Sequence, residues 1–379
     1  MTSCKVCSLG AQHPGVTLDD DGLCNLCKLT MATDLVENFR YTSEMYQGFV
    51  NAGPNTAGEF DCLFMYSGGK DSTFMLDRFV NGLGKRVLAY TFDIPFESKH
   101  SVQNVRGMRD KIDAEFLLDS DDDGITKVMA EIFSRKPEKP GKYLDEKLPC
   151  YSCRSFFLIR AILVAFERKI PYIALCADPQ QILTMESDVR KVVQGFYRTF
   201  GAKLTDEVFK GRIEEILFAP ADDLPRIVFP YIGSRYDYDP DQMVTELKDK
   251  GLYSASPLET HCRLFGLLNL YSYTHWGSMY YKINASSHLR AAHRNPDQQR
   301  TSFSLKFPKA LNVIELEERL RTTLFAISAN EGDPAEHERE LIELFSMLGA
   351  TEDAAAHVAR TCLELKETAA EFGIALPRR

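Results

Sequence analysis

The chain has 379 residues, of which 44% are hydrophobic and 26% are charged, and its formal net charge at pH 7 is -9. This composition is ordinary for a soluble globular protein, and the length suits one large catalytic domain with appendages, or two domains. Because neutralising phosphates requires clustered Lys and Arg, the acidic balance argues against a large nucleic-acid footprint, although a local basic groove stays open.

Targeting and membrane segments are not expected in this sequence. We expect no apolar run to reach the ~18 residues that a membrane span needs, and no basic region followed by an apolar stretch opens the chain. We therefore expect a cytoplasmic protein without a membrane span. In that compartment the ten cysteines are expected to be reduced thiols or metal ligands rather than disulfides.

The first 30 residues contain two C-x-x-C pairs. Cys4 and Cys7 form the first pair, and Cys24 and Cys27 form the second after sixteen intervening residues. Each pair places two sulfurs on one knuckle, and two knuckles complete the tetrahedron that Zn²⁺ prefers. The alternative is four unrelated thiols in a disordered tail, which this spacing disfavours. We predict a structural zinc ribbon, because a four-sulfur shell leaves the metal no open coordination position.

From residue 59 onward, apolar runs alternate with amphipathic stretches. Strands are predicted at 62–66, 86–92, 114–118 and 172–176, and helices at 72–81, 98–112, 123–133 and 156–167. Strands that alternate with helices of about ten or more residues indicate βαβ units, an α/β fold and a doubly wound parallel sheet. Ligands of such sheets lie beyond the carboxyl ends of the strands, where Ser67, Asp93 and Cys176 fall.

Helical patterns dominate the rest of the chain. A helical linker is predicted near 31–46 and ends in a loop before residue 59, and the stretch from Leu316 to the end is rich in Glu, Ala and Leu with helical spacing. That stretch is typical of a small helical bundle or cap. The predicted division is a zinc-ribbon module at 1–30, a helical linker at 31–58, an α/β domain at 59–265 and a mostly helical C-terminal region at 266–379.

A glycine turn joins the first strand of the α/β domain to its first helix. Its six residues are Ser67, Gly68, Gly69, Lys70, Asp71 and Ser72. Backbone N–H groups at such a turn and at the helix N-terminus converge on an anion, and glycines let phosphate oxygens approach without a Cβ in the way. An ordinary βα turn is the alternative, and a Walker A loop is excluded by the glycine spacing. The order of residues and their flanks predict a phosphate site.

This turn resembles the signature of the PP-loop ATP pyrophosphatases, also called adenine nucleotide alpha hydrolases. Residues 61–66, 87–93 and 104–105, together with the cysteine segment 4–27, are similar to the N-acetyl sugar amidotransferase-like branch. The resemblance implies a HUP/PP-loop type fold for 59–265 and an enzyme that splits ATP into AMP and pyrophosphate. In that family a substrate oxygen attacks the α-phosphorus, and a nitrogen or sulfur nucleophile then displaces AMP.

The resemblance also implies roles for individual side chains. The turn would bind the β,γ-diphosphate of ATP, with hydroxyl donors from Ser67 and Ser72 and with Lys70 offsetting the charge of the leaving pyrophosphate. Asp71 beside a triphosphate would be repulsive unless Mg²⁺ intervenes, so metal bridging or helix capping is expected of it. Asp93 lies where the family contacts the nucleotide, and capping of the following helix is its alternative.

Cys150 and Cys153 form a third C-x-x-C pair, expected just before a helix, where thiol pKa values are lowered. Half of a metal site, a redox or persulfide-carrying pair, and a packed knuckle all stay open for this pair. Cys262 is the natural third thiol. Three cysteines on a [4Fe-4S] cluster with one free iron is the arrangement of the thiolating PP-loop enzymes, which this set resembles.

Two overall reactions follow from the resemblance. Nitrogen transfer onto an N-acetyl sugar or related carbonyl, as in surface-polysaccharide biosynthesis, would draw ammonia from a separate glutaminase, since no glutaminase module is evident. Sulfur transfer through the three cysteines, with a sulfur donor protein, would act on a tRNA base or a small metabolite, and the acidic pI weighs against tRNA. A non-catalytic nucleotide sensor is disfavoured by the complete turn with Lys70.

Four further residues are weaker candidates. Asp178 follows the strand predicted at 172–176 and could position magnesium or a nucleophile. Arg154 and Arg263 each adjoin a cysteine and could hold a substrate anion, or could be surface residues. Tyr271 begins an aromatic group whose spacing favours the buried face of a helix over a stacking surface for a base or sugar.

Overall fold

The computed structural model describes residues 3–11, 16–32, 35–96, 99–135, 148–177, 186–233, 240–252, 262–276, 286, 313–347 and 352–376. Within these ranges one parallel sheet has the strands β1 (Cys62–Met65), β2 (Val87–Asp93), β3 (Glu115–Ser120), β4 (Tyr172–Leu175) and β5 (Arg226–Val228). Their order is β3-β2-β1-β4-β5, with every neighbouring pair parallel. The order reverses between β1 and β4, so this is the switch point at which such sheets bind ligands.

Helices cover both faces of this sheet. In the first two thirds of the chain they are α1 (Asn25–Ala32), α2 (Leu35–Asn51), α3 (Lys70–Asp77), α4 (Lys99–Met108), α5 (Asp122–Ser134), α6 (Leu148–Glu167), α7 (Val189–Phe209), α8 (Ile213–Phe218), α9 (Pro230–Gly233) and α10 (Pro240–Asp249). The C-terminal helices are α11 (Phe265–Trp276), α12 (Val313–Ala329), α13 (Pro334–Met347), α14 (Glu352–Leu363) and α15 (Leu365–Glu371). A π-helical turn at Arg78–Gly82 continues α3.

The central strands β1, β2 and β4 are largely apolar on both sides because both sides are covered. Leu63 and Leu88 belong to one core, which also contains residues of α5, α6, α7, α8 and the C-terminal helices. Their neighbours Phe64 and Ala89 belong to a second core on the opposite face, with residues of α2, α3, α4 and α10. Strands buried on both faces read as continuous apolar runs, which is why the sequence indicated them clearly. The predicted doubly wound α/β fold is confirmed.

The C-terminal helices complete the first of these cores. Tyr271 on α11 is buried and donates a hydrogen bond to the carbonyl oxygen of Ile132 at 3.1 Å. Its ring meets Phe133 edge-on, with the ring centroids 5.1 Å apart. The buried helix face preferred for Tyr271 is therefore what the structure has, and the helical C-terminal region packs onto the sheet domain.

Two elements differ from the sequence expectations. Strand β5 was not predicted, since it has only three residues and its first, Arg226, is exposed. Helix α6 begins at Leu148, eight residues before the predicted start at 156, so Cys150 and Cys153 lie inside the helix. Pro149 near its start is compatible with this position, because the first turn of a helix needs no proline N–H.

Helix α6 also bears on the expectation of no membrane span. Its segment Pro149–Glu167 is long and apolar enough to cross a membrane by length and composition, which corrects the expectation that no run reaches that length. However, 50% of its most apolar window is buried inside the protein. Phe156, Ile159 and Ile162 lie in the core shared with the sheet. This packing is that of a core helix.

Candidate functional site

The end of β1 is fixed to β2 by two hydrogen bonds at Tyr66. Its N–H donates to the carbonyl oxygen of Tyr90 at 2.8 Å, and its own carbonyl accepts from the Thr91 hydroxyl at 2.6 Å. The Tyr66 hydroxyl lies 3.0 Å from that of Thr73 on α3, and burial raises the pKa of Tyr66 to about 12. Strand β1, strand β2 and the first turns of α3 are therefore held together directly below the glycine turn.

The glycine turn has the backbone that its sequence requires. Gly68 has a φ of +73°, in the left-handed region that favours glycine. Gly69 is extended, with φ -80° and ψ 164°, and is the N-cap of α3. Helix α3 begins at Lys70, and the N–H groups of its first turn have no intrahelical partner. The turn therefore presents main-chain donors at the positive end of a helix, as an anion site needs.

Two serines hold this turn in shape. The hydroxyls of Ser67 and Ser72 lie 3.1 Å apart, and that of Ser72 also donates to the carbonyl oxygen of Gly69 at 3.0 Å. The N–H of Gly69 points to the Ser67 hydroxyl at 3.4 Å. These side chains tie the two ends of the turn to its middle, which favours a preorganised cradle.

The charged residues of the turn are adjacent. The Lys70 ammonium and the Asp71 carboxylate are 3.1 Å apart, with side chains that are 22% and 29% exposed. Both groups are thus accessible to a ligand and partly desolvated. Cys176, directly after β4, is close enough that burial together with the charge of Asp71 raises the pKa of its thiol. Because α3 follows β1 and β4 pairs with β1 in parallel, the first turn of α3 and the end of β4 lie at the same edge of the sheet.

Asp93 ends β2 and is half-buried. Burial and the nearby carboxylate of Asp122 raise its pKa, while Arg106 opposes that shift. The position agrees with the one from which a nucleotide contact was predicted. The nucleotide contact of Asp93, with capping of the following helix as its alternative, stays a prediction.

A partly buried ionic network was missed by sequence reasoning and lies beside Asp93 at the ends of β2 and β3. The Arg160 guanidinium on α6 donates to both carboxylate oxygens of Asp119 at 2.9 Å and to one carboxylate oxygen of Asp121 at 2.8 Å. The Tyr90 hydroxyl donates to Asp119 at 2.6 Å. Burial acts to raise the pKa of Asp119, but the hydrogen bonds from Arg160 and Tyr90 outweigh it and lower that pKa. The network ties α6, with its cysteines, to the carboxyl edge of the sheet.

The four N-terminal cysteines converge. The sulfur atoms of Cys4, Cys7, Cys24 and Cys27 all lie within 4.8 Å of one another and all four residues are buried. Backbone N–H groups point at two of the sulfurs, from Cys24 to Cys4 and from Cys27 to Cys24, each at 3.3 Å. Hydrogen bonds from Cys27 and Cys7 lower the pKa of the Cys24 thiol. Four thiols with such N–H···S contacts fit a tetrahedral Zn²⁺ site, as predicted for a zinc ribbon.

The other three candidate cysteines are arranged differently. Cys150, Cys153 and Cys262 are each partly exposed and pack against the same core as the C-terminal helices. Among the described residues, only the N-terminal four form a group whose ligand atoms are close enough for a single metal ion. Cysteines that bind different irons of one cluster are farther apart than ligands of one ion, so a cluster on these three stays a prediction.

The weaker candidates have mixed outcomes. Arg263 forms an ion pair with Glu371 on α15 at 2.7 Å, and its backbone N–H donates to the carbonyl oxygen of Phe96 at 2.7 Å. Arg263 therefore connects α15 to the segment after β2. The Arg154 guanidinium lies over the ring of Tyr151, 4.9 Å from its centroid. Asp178 lies outside the described residues.

Sequence reasoning also missed Tyr231 on α9. This residue is buried, and its hydroxyl donates to the main-chain carbonyl of Asp71 at 2.7 Å. A single tyrosine 160 residues from the turn carries no signal in the sequence, because the contact depends on where β5 places α9.

Two solved structures show a distant likeness to this chain. No family model matches the sequence, and no curated protein matches it. The NMN synthetase from Francisella tularensis is 12% identical to this chain, with a TM-score of 0.29 and with 67% of this chain and 94% of that chain covered. The U34-tRNA thiolase NcsA from Methanococcus maripaludis, with its [4Fe-4S] cluster, is 16% identical, with a TM-score of 0.31 and coverages of 81% and 91%. Neither likeness assigns a function to this chain.

Proposed function

We propose that the protein is an ATP-dependent adenylating enzyme of the PP-loop ATP pyrophosphatase class. The turn formed by residues 67–72 carries this proposal. It places main-chain donors, two serine hydroxyls and the Lys70 ammonium at the carboxyl end of β1, beside the switch point of a parallel sheet. This is where α/β sheets bind phosphate ligands.

The reaction forms a bond between a substrate oxygen and the α-phosphorus of ATP, and it breaks the bond from that phosphorus to the bridging oxygen. Pyrophosphate leaves with the negative charge that develops on this oxygen. Donors that already point at that charge need no reorganisation during the reaction, which is the main source of such catalysis. Lys70 would stabilise the leaving group, and the partly exposed Asp71 carboxylate is the oxygen donor that would hold Mg²⁺.

Release of pyrophosphate tests this proposal. We expect the full chain to release pyrophosphate from ATP with a suitable carbonyl acceptor, and Lys70→Ala to slow this by about 10²- to 10³-fold, as the loss of one charge-stabilising donor does. Lys191→Ala, at an exposed position on α7, is the matched control and should keep the rate. Equal rates for the two variants would refute the assignment, as would a wild-type chain that does not bind ATP.

For the second half of the reaction we propose nitrogen transfer onto the carbonyl of an N-acetyl sugar or a related small molecule. The sequence resemblance around the turn and in the cysteine segment supports it. In this proposal a separate glutaminase supplies ammonia, the N-terminal zinc is structural, and the enzyme works in the cytoplasm. The four buried sulfurs leave no open position on the metal, so no substrate role is proposed for it.

Sulfur transfer is the second candidate, and the cysteines of α6 favour it. Cys150 and Cys153 lie in the first two turns of this helix, partly exposed, and Cys262 packs against the same core. Anaerobic purification followed by metal and sulfide analysis separates the candidates. Zinc alone, at one atom per chain, favours nitrogen transfer, whereas iron and sulfide that disappear in Cys153→Ala but persist in the buried control Cys362→Ala favour sulfur transfer.

A further inference from the structure

We infer that Tyr231 is a positioning residue for the phosphate site, acting through the peptide group that joins Asp71 to Ser72. This inference rests on the proposed function, because it assigns a role in binding the diphosphate. The Tyr231 hydroxyl donates to the carbonyl oxygen of Asp71 at 2.7 Å. The tyrosine itself is 3% exposed, on the short helix that follows β5.

The planar peptide group between Asp71 and Ser72 links the Tyr231 hydrogen bond to the N–H that faces the predicted phosphate. The carbonyl of Asp71 and the N–H of Ser72 belong to one planar unit and point in opposite directions. Thr73 makes the first intrahelical bond of α3, donating to Gly69 at 2.9 Å. The N–H of Ser72 therefore belongs to the first turn, whose donors face the predicted phosphate. The hydrogen bond from Tyr231 to the Asp71 carbonyl therefore also fixes the direction in which the Ser72 N–H points.

The same contact strengthens the donor. A hydroxyl that donates to a carbonyl polarises the amide, so that its N–H becomes a better donor at a buried site. Tyr231 thereby acts on affinity as well as on orientation. The Tyr231 side of the bond lies in the core on the α3 face of the sheet, so the bond is partly shielded from water.

Helix α10 keeps Tyr231 and α3 in fixed relation. The Tyr231 oxygen, whose single proton goes to the Asp71 carbonyl, also lies 3.8 Å from the sulfur of Met243 on this helix. Farther along, Glu246 pairs with Arg78 at 2.6 Å, and Lys250 after the helix pairs with the largely buried Asp77 at 2.5 Å. These contacts span α3 from its first turn to its end, so a shift of the helix would break these two partly exposed ion pairs.

The test compares two tyrosine-to-phenylalanine variants of the full chain, with inorganic pyrophosphate as the titrated probe. Tyr231→Phe removes only the hydroxyl and keeps the ring. Tyr271→Phe is the control, because its hydroxyl also donates to a buried helical carbonyl, that of Ile132, on the other face of the sheet. Pyrophosphate affinity is measured by calorimetry and thermal stability by circular dichroism.

We expect Tyr231→Phe to bind pyrophosphate about fivefold more weakly, the effect of one neutral hydrogen bond, and Tyr271→Phe to bind it as the wild type does. Both variants should melt at slightly lower temperatures. If the wild type binds pyrophosphate and Tyr231→Phe binds it equally well, the inference is wrong while the proposed function stands. If the wild type itself does not bind pyrophosphate, the proposed function fails and the inference fails with it.

Discussion

Replacing Gly68 by alanine tests the turn separately from any chemistry. Gly68 has a φ of +73°, a conformation that costs an L-residue about 1–2 kcal/mol. The substitution also restricts the unfolded chain, which returns about 0.4–1 kcal/mol. The net expectation is a loss of about 1 kcal/mol in the free energy of unfolding.

Gly69→Ala is the matched control in the same turn. Gly69 has the ordinary φ of -80°, and an added Cβ would meet its nearest neighbour, the Ser67 hydroxyl oxygen, at 3.4 Å. Neither strain nor a severe clash is expected there, so the entropic gain of about 0.4–1 kcal/mol remains. Because the entropic gain is common to both variants, they should differ in unfolding free energy by the strain alone, about 1–2 kcal/mol, with Gly68→Ala the less stable.

Urea denaturation followed by circular dichroism measures this difference. A slope common to both variants and the wild type indicates that only stability has changed. Pyrophosphate titration measures the effect on binding, because a Cβ at either position hinders the approach of phosphate oxygens to the backbone of the turn. We expect Gly69→Ala to keep its stability and lose affinity. Equal stability of the two variants, or a larger loss for Gly69→Ala, would refute the described backbone of the turn.

Three other substitutions test the metal module and the buried charges. Cys27→Ser should release the N-terminal metal and expose residues 3–32 to proteolysis. The sheet domain should stay folded, because the cysteine module has its own small core. Metal analysis and limited proteolysis measure the two effects. Arg160→Met should lower the unfolding free energy by about 2 kcal/mol, because it leaves the partly buried Asp119 and Asp121 without their cation. Asp61→Asn should cost about 2 kcal/mol at pH 7, since Asp61 binds Arg86 at 2.6 Å and is 8% exposed. Burial acts to raise the pKa of Asp61, but the hydrogen bond and charge of Arg86 outweigh it, so the pKa in the folded state lies below the ordinary value of 3.8. The ionised pair therefore stabilises the fold above pH 3.8. Denaturation at decreasing pH should show the destabilisation by Asp61→Asn disappear as the pH falls through the folded-state pKa.

The strands around the site could be predicted because burial on both faces forces continuous apolar runs. Residues such as Leu63 and Ala89 have no solvent-facing alternative, and the glycine turn that follows β1 is set by local backbone geometry. Strand β5 could not be predicted, since three residues at a sheet edge contain no periodicity. The start of α6 was placed too late because Cys150 to Cys153 read as a knuckle rather than as helix.

Residues that act through distant contacts left no signal in the sequence. Tyr231 reaches Asp71 only because β5 pairs with β4 and so places α9 behind the turn. Arg160 likewise reaches Asp119 only after α6 has packed across the sheet. A sequence pattern describes local backbone and local burial, and neither contact is local.

The missed strand and the predicted turn belong to one structural unit. On one side Thr91 of β2 binds the carbonyl of Tyr66 at 2.6 Å, and on the other Tyr231 binds the carbonyl of Asp71 at 2.7 Å. The turn between these two anchors is thus fixed at both ends before a ligand arrives. Electrostatic stabilisation of a leaving pyrophosphate depends on donors that do not have to move, so rigidity imposed by β2 and β5 is a condition for it. A weakened β5 edge should therefore reduce phosphate affinity even though none of its three residues would touch the ligand.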